Sequence, residues 1–204
     1  MVTTIAFIGN SFVEGVGDTT EGGWTRRVTR QLTQNWNSIH KGIGGDNIRA
    51  VLNRFQTDAL SYNPQIVVVE VGINDSRIRS SLGNLNEVPP WEFSAALVTF
   101  NSIVKARNIR YLLLMGLTPV DEARTTPYKE DKIYLNREIR LYDKLLQEFT
   151  ISKNHVFVPL YDQFAKEGGA TKLTVDGVHP SPEGHALIAE NFQKIFHGIF
   201  PERG

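Results

Sequence analysis

Apolar positions along the chain change period repeatedly. Short β-branched runs alternate with stretches in which apolar residues return every three or four positions. Thr4–Ile8 is the first run, and Ile66–Val71 (Ile-Val-Val-Val-Glu-Val) is nearly continuous, as expected of a parallel strand covered on both faces. Arg110–Met115 and His155–Val158 read as two more strands. Asn37–Lys41 is weaker and is read as a strand because Gly42 ends it where a loop is needed. Between these runs, Trp24–Trp36 sets Trp24, Val28 and Leu32 on one helical face, and Ile48–Leu60 groups Ile48, Val51, Leu52 and Phe55. Phe93–Arg107, Tyr134–Thr150 and Glu183–Phe200 share the helical period. Ahead of the last, Ser181 is a natural N-cap and Pro182 fits the first helical position.

Strand alternating with helix predicts the α/β class, with a doubly wound parallel sheet, right-handed crossovers and one domain over residues 1–204. Two long segments lack either period, Ser76–Trp91 and Thr118–Asp131. Both follow predicted strands, so both are expected at the carboxyl edge of the sheet, where open α/β folds bind ligands. Loops of this length are usually functional or disordered. Trp91, Pro119 and Tyr128 are therefore the expected substrate-binding residues, lining an apolar rim.

Composition narrows the partners. Lys plus Arg and Asp plus Glu both number 22, which leaves no charge excess to draw the chain to nucleic acid or to an anionic membrane. Cysteine is absent, which excludes thiol catalysis and disulfides. No stretch approaches the roughly 20 apolar residues of a membrane span. The N-terminus has no basic segment and only a short apolar run before Gly9, so no signal peptide is read there and a cytoplasmic location is expected. Nothing in the pattern specifies an oligomeric state.

The chemistry sits in four short clusters in fixed order: Ile8-Gly9-Asn10-Ser11-Phe12, Gly42-Ile43-Gly44-Gly45-Asp46, Gly72-Ile73-Asn74-Asp75 and Asp176-Gly177-Val178-His179-Pro180. Ser11 follows the first strand at a turn whose backbone N–H groups favour developing negative charge. His179 lies three residues after Asp176 in a Gly/Pro loop, a spacing that lets one segment supply both a base and the carboxylate that orients it. The other histidines, His40, His155, His185 and His197, lack such a carboxylate and are read as core or surface residues. Asn74 offers an amide donor after the most strand-like run, and Gly45 offers a backbone N–H with no side chain in the way. Each cluster alone is an ordinary turn or cap; together they form the inventory of acyl transfer. A P-loop does not fit, since no Gly-Lys-Ser/Thr follows the glycines. The G-x-S-x-G elbow fits poorly too, because Gly9-Asn10-Ser11-Phe12-Val13 lacks its second glycine.

From about residue 5 to about residue 190 the four clusters resemble the conserved blocks of the SGNH (GDSL-type) hydrolase family. Ser11, Gly45 and Asn74 match the serine, glycine and asparagine of its first three blocks, and Asp176 and His179 match its D-x-x-H. The resemblance implies a three-layer, flavodoxin-like α/β/α fold with five parallel strands. It also implies ester hydrolysis without a metal or organic cofactor, by a Ser11–His179–Asp176 triad. The oxyanion would be held by the Ser11 and Gly45 N–H groups and the Asn74 amide. Two positions depart from the family pattern: Asn10 stands where the family usually has Asp, and Asn47 where it often has Thr or Ser. The expected activity is hydrolysis of a small-molecule ester, with short-chain or aryl esters favoured because no segment is long enough to cover a lipid chain. The alternatives are acyl transfer, deacylation of a carbohydrate or thioester, and a binding module with a decayed site.

Overall fold

The computed structural model describes residues 2–200. Met1 and residues 201–204, the two ends of the expected domain, lie outside the described residues. Five parallel strands form the central sheet: β1 (Thr3–Gly9), β2 (Trp36–Gly42), β3 (Ile66–Glu70), β6 (Tyr111–Met115) and β8 (Val156–Val158), in the order β2-β1-β3-β6-β8. The order reverses at β1, where β2 lies to one side and the later strands to the other. Right-handed crossovers in opposite directions send helices to opposite faces. Accordingly α2 (Trp24–Thr29) packs with α10 (Pro182–Ile199), their rings Trp24 and Phe192 meeting each other and Phe7 of β1. On the other face α3 (Ile48–Asp58), α5 (Pro90–Ala106) and α7 (Asn136–Lys153) pack through the edge-to-face pairs Phe55–Phe100 and Phe93–Tyr142. The architecture is the expected α/β one. Every residue of β3 is buried, which is why its run is almost purely apolar.

Two expectations need correction. The helix expected over residues 24–36 ends at Thr29, and Trp36 opens β2 instead. Trp36 is pulled into the sheet by its register with Thr3 and by ring contacts with Phe196 and Phe200 at the end of α10. Tertiary pairing thus overrides a helical period. The two segments without a period are also more ordered than loops. The first contributes β4 (Ile78–Arg79) and β5 (Leu85–Asn86), which join β7 (Lys132–Ile133), immediately after the second, in a small antiparallel sheet of order β5-β4-β7. Asp131, at the end of the second, fastens it through an ion pair with Arg79 at 2.8 Å. Strands of two residues carry no readable alternation. Among the described residues no helix is long and apolar enough to cross a membrane.

Candidate active site

The first three clusters leave the carboxyl ends of β1, β2 and β3, the strands that flank the reversal of order. Ser11 opens α1 (Ser11–Glu14), whose N-cap Asn10 accepts from the Phe12 N–H through Oδ1 at 2.9 Å. The family departure at Asn10 therefore keeps the capping bond. Ser11 is 5% exposed, and its Oγ lies 3.0 Å from His179 Nε2. On the other side of the ring, His179 Nδ1 lies 2.7 Å from Asp176 Oδ2. An ionised carboxylate only accepts, so Nδ1 carries the proton and Nε2 is the acceptor facing the Ser11 hydroxyl.

The loop that carries His179 and Asp176 is rigidly built. Asp176 Oδ1 accepts from the Val178 N–H at 3.0 Å and the His179 N–H at 2.8 Å, closing the D-x-x-H turn on itself. Val175 N–H donates to the His179 carbonyl at 2.9 Å, and Ser181 N–H to Leu173 at 2.8 Å. Ser181 then caps α10 by accepting from Gly184 N–H at 3.2 Å, as its place before Pro182 predicts. Burial pushes the Asp176 carboxyl up, but hydrogen bonds from His179, Tyr128 and the turn N–H groups outweigh it and hold the group well below the usual carboxylate range. Gly17 joins this loop to the Ser11 turn: a Cβ there would stand 2.1 Å from the Pro180 carbonyl oxygen, and its φ of +101° suits glycine.

Gly45 has φ +87°, and a Cβ there would meet no atom within 4 Å. Conformation, rather than crowding, asks for glycine, and the space before it is open. Among the described residues none accepts from the backbone N–H of Gly45 or of Ser11. Arg54 of α3 braces this loop, donating to Asp46 Oδ2 at 2.7 Å, the Gly9 carbonyl at 2.7 Å and the Lys41 carbonyl at 3.1 Å. Asn74 lies in α4 (Ile73–Ser76) and is 5% exposed. Its Nδ2 donates to the Asp46 carbonyl at 2.9 Å, while its Oδ1 accepts from Arg77 Nη1 at 3.1 Å and Tyr134 Oη at 3.0 Å. Arg77 holds only donors, which fixes which end of the amide faces it. Arg77 is itself held by Glu87, through Nη2 to Oε1 at 2.6 Å. Asp75 is fully buried and accepts from the Ile48 and Gly72 N–H groups, each at 2.8 Å, tying the third cluster to the start of α3.

Of the expected rim residues, only Tyr128 joins this cluster, and it does so by donating to Asp176 Oδ2 at 2.6 Å. Pro119 is buried past the end of β6. Trp91 is 74% exposed in the first turn of α5, outside the hydrogen-bonded cluster. His185 is a satisfied core residue, its ring nitrogens 3.2 Å from the Trp24 N–H nitrogen and 3.0 Å from the Val16 carbonyl. His40 stacks on Phe7, and burial pushes it down to about 4. Sequence reasoning missed Arg54, Arg77 and Tyr134. Arg77 has a signal, since three residues on from Asn74 is one helical turn; Arg54 and Tyr134 reach the site only through the fold. Among the described residues no three His, Cys, Asp or Glu side chains are grouped so that they could hold a metal ion.

Comparison with known proteins places the chain in a family. The acetylxylan esterase of Geobacillus stearothermophilus is 24% identical over 159 residues, covering 76% of this chain and 69% of that protein. Thioesterase 1/protease 1/lysophospholipase L1 of Escherichia coli K12 is 24% identical over 189 residues, covering 92% and 80%. Among solved structures, a lipase/acylhydrolase from Enterococcus faecalis superposes with TM-score 0.77 at 18% identity, covering 97% of this chain and 96% of that one. The structure of the Geobacillus stearothermophilus acetylxylan esterase gives 0.75 at 22%, covering 95% and 93%. Residues 7–187, which span all four clusters, match the model of the GDSL-like lipase/acylhydrolase family. The chain belongs to that family and is a carboxylic ester hydrolase.

Proposed function

We propose that the protein hydrolyses esters of short acyl groups or aryl alcohols through an acyl-enzyme on Ser11. The observation that carries this reading is the continuous line from Ser11 Oγ through His179, 3.0 Å on one side, to Asp176, 2.7 Å on the other. As Ser11 Oγ attacks the carbonyl carbon, His179 Nε2 takes the hydroxyl proton and the carbonyl electron pair moves onto oxygen. The N–H groups of Ser11 and Gly45 and the Asn74 amide donate to that oxyanion. Collapse expels the alkoxide, which collects the proton from His179. Water then repeats the sequence on the acyl-enzyme and releases the acid. Asp176 stays ionised throughout, consistent with a carboxyl held below its usual range.

Small esters suit the surroundings of Ser11. Gly45 faces open space, and the exposed apolar side chains Val16, Ile43 and Val175 belong to the segments that carry the site. The similarity to an acetylxylan esterase, whose name denotes a small acyl group, points the same way. The test is Ser11→Ala with p-nitrophenyl acetate as substrate. The expected loss in kcat is about three powers of ten or more, with an unchanged circular dichroism spectrum. Retention of most of the activity would overturn the assignment.

A further inference from the structure

The segment between β6 and α7 carries two tyrosines that reach opposite ends of the site. Tyr128 Oη donates to Asp176 Oδ2 at 2.6 Å, the same oxygen that accepts from His179 Nδ1, and lies 3.4 Å from that nitrogen. Tyr134 Oη donates to Asn74 Oδ1 at 3.0 Å. The two rings meet edge to face, 5.5 Å between centroids at 84°. The segment is stitched down around them. Tyr128 N–H donates to the Lys132 carbonyl at 2.8 Å, and Tyr134 N–H to the Thr125 carbonyl at 3.1 Å. Thr125 Oγ1 returns a bond to the Tyr134 carbonyl at 2.9 Å. It is also tied to the triad loop, by Asp121 N–H to the Gly177 carbonyl at 2.9 Å and Arg124 Nη2 to the Val175 carbonyl at 2.6 Å.

We propose that Tyr128 and Tyr134 form a positioning strap, Tyr128 setting how strongly Asp176 supports a protonated His179 and Tyr134 aiming the Asn74 amide at the oxyanion. The inference rests on the Ser11–His179–Asp176 reading. A carboxylate oxygen that accepts two donors spreads its charge over both, so the imidazolium gains less from it. At the other end, an amide oxygen that accepts from Tyr134 and Arg77 polarises its own N–H groups and locks their direction. Other groups also face the strap. Arg124 acts on Tyr128, whose ring has the Lys129 ammonium 5.0 Å from its centroid; Arg77 and Glu87 act on Tyr134, and His185 interacts with His179. All of them are retained in the variants below, so differences report the hydroxyls alone.

The experiment is kcat/KM for p-nitrophenyl acetate from pH 5 to 9 on wild type, Tyr128→Phe, Tyr134→Phe and Ser11→Ala. Loss of the Tyr128 hydroxyl concentrates charge on Asp176, and the acidic limb of the profile moves up by about half a pH unit. Tyr134→Phe leaves the limb in place and lowers the plateau of kcat/KM about ten-fold. Site-specific 3-fluorotyrosine at position 128 donates more strongly and moves the limb down, a readout that a merely structural role leaves still and that holds if Tyr128→Phe folds poorly. An inactive Ser11→Ala beside superimposable limbs for wild type, Tyr128→Phe and the fluorotyrosine protein overturns the strap while sparing the serine mechanism. An active Ser11→Ala overturns both.

Discussion

Glu70 ends β3 and is 2% exposed, directly beneath the Ser11 turn, where it pairs in register with Gly9. Burial pushes its carboxyl from an ordinary 4.5 up to about 8, against the pull of the Asn10 amide and backbone N–H. The folded protein therefore holds a proton there between about pH 4.5 and 8 that the unfolded chain has released. With the folded state binding more protons, stability must fall as pH rises through that window. The slope approaches about 1.4 kcal/mol per pH unit, and the interval caps the total at about 5 kcal/mol. Asp75, buried and pushed up to about 7, adds to the same trend. His40, His155 and His185, held neutral by burial, act in the opposite direction at acid pH. Glu70→Gln keeps the shape and never ionises, and the other groups cancel in the comparison with wild type. Chemical denaturation of both proteins at pH 5, 6, 7 and 8 isolates the effect. The advantage of the variant over wild type should grow steadily with pH. Parallel stability curves would refute the claim that Glu70 is buried with its proton.

Two further outcomes follow from the site's geometry. Gly17→Ala drives a Cβ toward the Pro180 carbonyl oxygen at φ +101°, and should cost about 2–4 kcal/mol in thermal unfolding while lowering kcat, because the His179 loop is the part that must move. In a series of p-nitrophenyl esters, kcat/KM should peak at acetyl or butyrate and fall with longer chains; a maximum at long acyl chains would contradict the small-ester reading.

How much of this was legible in the sequence depended on how far apart the partners lie. The β3 run was readable because both faces of that strand are buried, whereas β2 is partly exposed along its length and shows almost no pattern. Ser11, Gly45, Asn74, Asp176 and His179 were readable because each sits in a turn with a local signature. Trp36 was misread as helical because its strand register is set by Thr3, far back in the chain. Tyr128 was recognisable as an aromatic residue near the site, but its partner Asp176 is 48 positions away, and Tyr134 finds Asn74 across 60. No local period encodes such pairs. The antiparallel β5-β4-β7 sheet that brings the two loop segments together was unreadable for the same reason.

The central claim is that Ser11 is an activated nucleophile. Intact-protein mass spectrometry after treatment with a fluorophosphonate, run beside Ser11→Ala, tests it most directly. A single adduct is expected on the wild-type protein and none on the variant. Folded wild-type protein that takes up no adduct, or a variant that takes up as much, would contradict it.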